Sequence, residues 1–252
     1  MDVTQRFSNR VENYVKYRPS YPAALIDHIV ARARLHDGAS VADIGSGTGI
    51  FTSLILARGL RVYGVEPNRE MREAAERLLA VHENFISIDG GAEHTTLPGH
   101  SVEIVCVAQA FHWFDAKKTR IEFQRILNPG GLVALIWNDR KTDASPFLEA
   151  YDELLRMRGS DYEQVNHRNI DAKKLHAFFG EGGYEETTFA NEQHFDWDGL
   201  YGRAMSSSYV PAEGSEGYGP FVAGLRKVFD THARDDTVAF EYDTRLYMGT
   251  LA

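Results

Sequence analysis

The sequence predicts an α/β fold: a doubly wound, mostly parallel sheet of seven strands, with helices on both faces and an antiparallel last strand. Three observations predict it. Apolar strands alternate with amphipathic helices through residues 22–137. The strands lack polar alternation, as expected of strands that are buried on both faces. A glycine-rich turn joins the first strand to its helix, and ligands bind such sheets at the carboxyl ends of the strands.

Each predicted element follows from a local pattern. In the first helix, over residues 22–35, Leu25, Ile26 and Ile29 recur at helical spacing, and the turn at residues 36–38 ends it. Short apolar runs place the first five strands at residues 40–44, 61–66, 85–88, 102–107 and 131–137. An alternating pattern places a strand at residues 185–196, and a final strand is expected at residues 238–248. Apolar residues every three or four positions place the remaining helices at 50–58, 68–81, 117–127, 146–157, 172–179 and 218–232.

Composition limits the partners of this chain. At 252 residues with 43% hydrophobic side chains, it suits a single α/β domain with a large core. The net charge of −9, from 36 acidic and 27 basic residues, argues against nucleic acid and favours a small-molecule substrate. We find neither a secretory signal nor an apolar run near the ~20 residues of a membrane span. We therefore expect a cytoplasmic monomer or homodimer without membrane contact.

The run VADIGSGTG at residues 41–49, together with Glu66 at the end of the next strand, indicates a nucleoside cofactor. The first strand leads into a three-glycine turn that opens a helix. The carboxylate of Glu66 can accept hydrogen bonds from both hydroxyls of a ribose. The alternative is a plain tight connection between a strand and a helix.

Glycine spacing and charge select among cofactors. The dinucleotide fingerprint is GxGxxG, whereas this chain has GxGxG with Ile50 where the last glycine would stand. Asp43, two residues before Gly45, would repel a pyrophosphate but attract the sulfonium and ammonium groups of S-adenosylmethionine. Such charges a few ångströms apart interact by about 1 to 4 kcal/mol at surface-like dielectrics. Both features favour S-adenosylmethionine over NAD.

Five ordered motifs resemble those of the class I S-adenosylmethionine-dependent methyltransferases, in the branch that contains ubiquinone-biosynthesis-like and trans-aconitate-methyltransferase-like enzymes. The motifs occupy residues 42–49, 64–71, 91–93, 108–114 and 125–131. The resemblance covers nearly the whole chain. It implies the Rossmann-like methyltransferase fold, S-adenosylmethionine as the cofactor and S-adenosylhomocysteine as its product.

The resemblance also implies a set of cofactor-binding residues. The glycine loop would hold the methionine end above Asp43, Glu66 would bind the ribose, and Met71 would pack on the adenine. Many members carry Asp where this chain has Gly91, and Glu93 is either its replacement or a solvated side chain. The implied residues are Asp43, Gly45, Ser46, Gly47, Gly49, Glu66, Pro67, Met71, Ala92, Glu93, Gln109 and Arg18.

The acceptor side carries fewer signals. DNA-base amine methyltransferases usually present a Pro-Pro pair after the fourth strand, whereas this chain has Gln109 to Trp113 there. His112 is the candidate general base, with a structural role as the alternative, and Arg18 pairs with a carboxylate or lies exposed. We find no spacing typical of metal ligands. Candidate substrate-lining residues are Tyr14, Tyr17, Trp113, Trp137, Trp197 and Tyr209.

We expect one methyltransferase domain over residues 1–252, with a lid at 1–22, a cofactor-binding core at 23–138 and a substrate-shaping part at 139–252 that completes the sheet. The predicted activity is in-line methyl transfer to a small molecule, with a carboxylate or another oxygen nucleophile as one candidate acceptor. One alternative is a non-catalytic S-adenosylmethionine-binding sensor or assembly protein. The other is an NAD-dependent oxidoreductase.

Overall fold

A seven-stranded sheet with the strand order β3-β2-β1-β4-β5-β7-β6 forms the centre of the protein. The structure is a computed structural model that describes residues 16–159, 172–207 and 209–251. The strands are β1 (Ser40–Ile44), β2 (Arg61–Val65), β3 (Phe85–Ile88), β4 (Val102–Ala108), β5 (Leu127–Arg140), β6 (Tyr184–Phe195) and β7 (Val238–Gly249). The helices are α1 (Ala23–Arg32), α2 (Ile50–Leu56), α3 (Arg69–Leu78), α4 (Ala116–Ile126), α5 (Pro146–Arg158), α6 (Ala172–Phe179), α7 (Trp197–Met205) and α8 (Tyr218–His232).

The pairing confirms the predicted sheet. Strands β1 to β5 pair in parallel, and β7 runs antiparallel to both of its neighbours, β5 and β6. The last strand of the sequence is thus inserted between two earlier ones, and β6 forms the edge. The carboxyl ends of β1, β2, β4, β5 and β6 lie along one side of the sheet, where ligands bind in this architecture.

Two differences from the predicted elements lie in the second half of the chain. Strand β5 extends from Leu127 to Arg140 rather than over residues 131–137, since its two ends pair with β4 and β7. The prediction also missed α7, which contains Gly199 and Gly202. Glycine is among the least favourable residues for a helix interior, so local propensity gives no helix signal there.

Side-chain caps fix where several helices begin. The side chains of Asn68, Asp115, Ser145 and Asp196 each accept a hydrogen bond from a backbone amide in the first turn of the helix that follows. Such a cap contributes about 1 kcal/mol to stability. Two of these caps, at α3 and α7, set the entry of helices that border the candidate sites described below.

Apolar clusters cover both faces of the sheet, and a third joins α5, α7 and α8 to β7. The third cluster is rich in aromatic rings, and the ring centroids of Phe240 and Tyr151, for example, are 5.0 Å apart. Within the three described ranges, no helix is long and apolar enough to cross a membrane.

Side-chain amides of the sheet bind residues 16–22, just before α1. Asn138 and Asn191 both donate to the carbonyl oxygen of Ser20, at 3.1 and 2.8 Å, and Gln193 donates to that of Tyr17 at 3.3 Å. Residues 16–22 therefore lie across the carboxyl end of β5 and β6. The rest of the predicted lid, which includes Tyr14, falls outside the described residues.

Candidate functional site

A cleft of about 240 Å³ opens at the carboxyl ends of β1, β2 and β4. Its position follows from the crossover between the two halves of the sheet, since β1 has β2 on one side and β4 on the other. Of the predicted site residues, those on its walls are Gly45, Gly47, Glu66, Pro67, Met71, Ala92, Glu93, Gln109 and Trp113. The prediction assigned no cofactor-binding or substrate-lining role to the further wall residues Asn68, Gly91, Ala108, Ala110 and Phe114.

The glycine loop approaches the chain opposite too closely for a side chain. Gly45 has a φ of +71°, and a Cβ there would lie 2.6 Å from the Cβ of Ala110. The amides of Gly45 and Ser46 both donate to the carbonyl oxygen of Val65, which ties the loop to β2. Gly49 lies outside the cleft at the start of α2, where a Cβ would meet Leu79 at 2.7 Å.

Both carboxylate oxygens of Glu66 are held by backbone amides. Oε2 accepts from the amide of Gly47 at 2.9 Å, and Oε1 from that of Asn68 at 2.8 Å. Burial raises the pKa of Glu66, while these two bonds act in the opposite direction. A carboxylate has about four lone-pair sites on its two oxygens. Each oxygen therefore keeps accepting capacity toward the cleft that Glu66 lines.

Asn68 positions the adjoining wall. Its side chain caps α3 by accepting from the amide of Met71 at 2.9 Å, and the Met71 side chain is buried against the cleft. An Asn immediately before an amphipathic helix is a recognised cap signal, so the sequence did contain the information needed to find this residue.

Asp43 lies beneath the loop rather than on the cleft wall. Its side chain is fully buried, and Oδ2 accepts from the hydroxyl of Thr52 at 2.6 Å. Burial raises its pKa from 3.8 to about 7, and the charge of Glu66 acts in the same direction. Near neutral pH the carboxyl is therefore partly protonated, and a cation in the cleft would favour its ionised form.

Glu93 lies exposed at the mouth of the cleft. Its Oε1 accepts from the amide of Asp115 at 2.8 Å, just before α4. A Cβ on Gly91 would lie 3.7 Å from Oε2 of Glu93. The carboxylate of Glu93 thus occupies the space beside Gly91, the position at which the resemblance described above implies an Asp in many family members.

Gln109 has an uncommon backbone conformation for a residue with a side chain, with a φ of +60°. Its amide donates to the carbonyl oxygen of Ile136 at 2.9 Å, and its side chain donates to that of Asn138 at 3.3 Å. Such conformations cost about 1 to 3 kcal/mol and concentrate at functional sites. The contacts hold Gln109 on the cleft wall beside the end of β5.

The aromatic residues after β4 divide between the cleft and the core. His112 and Trp113 share a short 3₁₀ turn with ring centroids 4.7 Å apart, but only Trp113 is part of the described cleft wall. Trp137 is buried in the sheet core, with its ring 6.3 Å from Phe111 and 5.8 Å from Tyr247.

The other predicted residues gather around α7. The ring of Tyr17 covers the backbone of Gly202, Arg18 donates to the carbonyl oxygen of Ser206 at 2.9 Å, and the Trp197 ring lies 4.9 Å from the guanidinium of Arg226. Tyr209 lies four residues after the end of α7. No group of metal-ligating side chains occurs within the residues that the structure describes.

Comparison with known proteins gives one family. The family model described as "Methyltransferase domain" matches residues 42–135. A curated relative, an uncharacterized methyltransferase of Mycobacterium bovis, is 38% identical over 139 residues, which are 55% of this chain and 54% of the relative. The matched segment thus spans about half the length of that relative. An uncharacterized methyltransferase of Bacillus cytotoxicus is 30% identical over 172 residues, 63% of this chain and 74% of the relative.

Experimentally solved structures share this fold. A protein of Anaeromyxobacter dehalogenans, proposed to be a type II methyltransferase, superimposes with a TM-score of 0.68 at 22% identity. The similarity covers 93% of this chain and 98% of the other. At that identity the likeness concerns the fold, and it extends beyond residues 42–135 into the part of the chain after β5.

Proposed function

Because the chain belongs to the class I S-adenosylmethionine-dependent methyltransferases, we propose that it transfers a methyl group from S-adenosylmethionine to a small-molecule acceptor. The observation that carries this proposal is the carboxylate of Glu66, buried at the end of β2, anchored by two amides and facing a cleft that the glycine loop borders. That arrangement suits a ribose diol. It would hold a nucleoside cofactor at the ligand edge of the sheet.

The remaining walls suit the other parts of S-adenosylmethionine. Met71 offers an apolar surface for the adenine, and Ala92 lines the same cleft. Asp43, beneath the loop, gains its negative charge most readily when a cation is bound above it. Once bound, S-adenosylmethionine supplies a methyl carbon that forms a bond to the acceptor as its bond to the positively charged sulfur breaks and the electron pair stays on sulfur.

The task left to the protein is alignment and exclusion of water. Gln109 and Trp113 are placed for this, because both line the cleft at the carboxyl end of β4. An aromatic face beside a sulfonium contributes about 0.5 to 2 kcal/mol. We further propose that His112, in the same turn, takes the proton of an acceptor that must lose one.

We propose that residues 139–252 shape the acceptor space and that residues 16–22 cover it. Residues 16–22 are bound to β5 and β6 at the ligand edge, which supports a covering role. The chain lacks the Pro-Pro pair of DNA-amine methyltransferases, and among acceptors we favour an oxygen nucleophile on a small molecule.

Isothermal titration with S-adenosylmethionine tests the cofactor site. Replacing Glu66 by Ala removes two ribose hydrogen bonds to a charged group, each contributing about 1.5 to 3 kcal/mol, so affinity should fall by about 100-fold or more. The matched control is Glu70→Ala, which removes an exposed carboxylate from the next helix. If Glu66→Ala and Glu70→Ala bind S-adenosylmethionine equally well, the proposed site is wrong.

A second measurement separates an enzyme from a non-catalytic binding protein. The full chain is incubated with methyl-labelled S-adenosylmethionine and a metabolite extract. We expect S-adenosylhomocysteine and a labelled small molecule to accumulate together, and both should decrease with Glu66→Ala. Tight binding of the cofactor without either product would instead favour the sensor or assembly role.

A further inference from the structure

Three arginines meet near α7, and sequence patterns did not reveal their association. We define the arginine cluster as Arg18, Arg140 and Arg203, together with the phenols of Tyr151, Tyr209 and Tyr242. Its members come from separate elements at the ligand edge of the sheet. Arg140 ends β5 and is paired in register with Tyr242 of β7, whereas Arg203 belongs to α7, which follows the carboxyl end of β6.

Arg203 is a buried charge held by neutral groups. It is 5% exposed, its Nη1 donates to the hydroxyl of Ser207 at 3.1 Å, and its Nε donates to that of Tyr242 at 3.4 Å. Its guanidinium also lies 5.8 Å from the ring centre of Phe240. In the described part of the chain no carboxylate forms an ion pair with Arg203. Removing a charge from water is costly unless an opposite charge joins it.

The carboxylate of Asp152 forms ion pairs with neighbouring arginines and not with Arg203. Buried Asp152 binds Arg140 through one oxygen at 2.7 Å and Arg156 through the other at 2.9 Å. One carboxylate is therefore shared between two guanidinium groups, and both of its oxygens are engaged. It does not supply the counter-charge that a buried Arg203 calls for.

The pKa of the Tyr209 phenol reflects the positive charge of the arginine cluster. Burial alone would raise the pKa of its phenol, yet the positive charges of Arg203 and Arg18 lower it below the ordinary value. Arg140 acts in the same direction. The three guanidinium groups thus act on a single point, and the potential there favours an anion.

Asn138 links this cluster to the cofactor cleft. Its carbonyl oxygen accepts from Gln109, which lines the cleft, and its side chain donates to the carbonyl oxygen of Ser20, close in sequence to Arg18. Arg140 follows two residues later on β5. Ala108 of the cleft wall is in register with Ile136 of β5, and Arg140 lies four residues further along that strand. At about 4.8 Å between strands and about 3.3 Å per residue, Arg140 is about 14 Å from this wall.

We propose that the arginine cluster binds an anionic group, a carboxylate or a phosphate, of the methyl acceptor while the cofactor occupies the cleft. This inference rests on the proposed function and names its substrate class. The planar guanidinium fork of Arg203 is suited to bidentate binding of such a group, and the phenol of Tyr209 can donate a further hydrogen bond. Binding at this end would hold the nucleophilic end of the acceptor toward Gln109.

Titration of the full chain with small anions tests the inference. The protein is first saturated with S-adenosylhomocysteine and then titrated calorimetrically with malonate, inorganic phosphate or neutral malonamide. We expect malonate or phosphate to bind and malonamide not to bind, and the preferred anion distinguishes a carboxylate from a phosphate. Arg203→Met should weaken anion binding by about 10- to 100-fold, while Arg58→Met, which removes an arginine paired with Asp27 at the surface, should leave it unchanged.

Several outcomes would overturn the inference. These are equal binding of malonamide and malonate, no binding of either anion, and anion binding that Arg203→Met and Arg18→Met leave unchanged. Loss of anion binding on saturation with S-adenosylhomocysteine would assign the cluster to the carboxylate of the cofactor instead. S-adenosylhomocysteine binding by each variant checks its fold, and Arg203→Lys, which keeps the charge but loses the fork, should bind malonate less tightly than the unaltered chain. A failure of the proposed function shows earlier, because the unaltered chain would then not bind S-adenosylhomocysteine.

Discussion

Replacing Asp43 by Asn removes an ionisable group from beneath the glycine loop and tests the electrostatics of the cofactor site. The side chain is fully buried, and its Oδ2 accepts from the hydroxyl of Thr52. An Asn side chain has nearly the same shape, and its oxygen can accept the same hydrogen bond. The substitution therefore removes the charge and leaves the packing nearly unchanged.

The magnitude follows from the pKa, which burial raises from 3.8 to about 7 in the folded chain. The pKa of Asp43 is higher in the folded chain than in the unfolded chain. The unfolded chain therefore loses this proton at lower pH, and its ionisation favours unfolding. The free energy of unfolding therefore falls from about pH 4 upward, and the full loss is present above about pH 7. At about 1.36 kcal/mol per pKa unit, the total is about 4 kcal/mol, of which about 3 kcal/mol accumulates above pH 5.

Urea unfolding followed by tryptophan fluorescence, without ligand, measures this difference. The free energy of unfolding of Asp43→Asn minus that of the unaltered chain should increase by about 3 kcal/mol between pH 5 and pH 8. Asp37→Asn, which removes an exposed carboxylate, is the control. A difference that stays constant between the two pH values would refute the assignment of a buried, partly protonated Asp43.

The same group makes cofactor affinity depend on pH. A cation above the loop favours the ionised carboxylate and lowers its pKa, so S-adenosylmethionine should bind more tightly as pH rises toward about 7 and reach a plateau above it. In Asp43→Asn this rise should be absent. A rise of the same size in both proteins would assign the pH dependence to another group.

Two further perturbations separate local strain from electrostatics. Gly45→Ala should abolish cofactor binding in calorimetry, because a Cβ there would lie 2.6 Å from the Cβ of Ala110. A Cβ on Gly47 would meet nothing within 4 Å, so Gly47→Ala should lose only about 1 to 2 kcal/mol of stability through its positive φ. Equal effects of the two substitutions would contradict this reasoning. Although burial raises the pKa of Glu122, the donors around it hold that pKa at about 2. Its stabilisation is present above about pH 4.5 and lost as pH falls toward 2, so urea unfolding of Glu122→Gln should lack this acid-side loss.

The first half of the fold is predictable because each element carries its own signal. Strands β1 and β3 have the predicted bounds, and α2 and α3 begin within one residue of the predicted starts. The second half depends on tertiary contacts. In α7, Gly199 packs against Phe195 and Gly202 against Tyr17, at distances that leave no room for a Cβ. Close packing thus requires glycine at both positions, although glycine has a low helix propensity and local sequence therefore predicts no helix there.

The candidate site likewise contains some residues that local sequence predicts and others that only the tertiary structure brings together. Wall residues such as Gly45 and Glu66 belong to continuous motifs and could be proposed from sequence, and Asn68 was recognisable as a helix cap. Arg140 and Arg203 belong to no motif. They meet only because β7 is inserted between β5 and β6, and strand order of this kind has no local signature in the sequence.

Strand order also sets the charge pattern along the ligand edge. Asp43 is the second-last residue of β1, Gln109 follows β4, and Arg140 ends β5. Asp43 is level with Ala134 of β5 and Arg140 lies six residues further along that strand, so the acidic group and Arg140 are separated by two strand spacings across the sheet and by about 20 Å along it. A chain with a net charge of −9 repels small anions at long range, but that repulsion is screened within about 8 to 10 Å at moderate salt. Buried arginines can then dominate at contact distance. A cationic donor above Asp43 and an anionic acceptor at Arg203 would each be held by the opposite charge, which fixes the direction in which the acceptor approaches the methyl group.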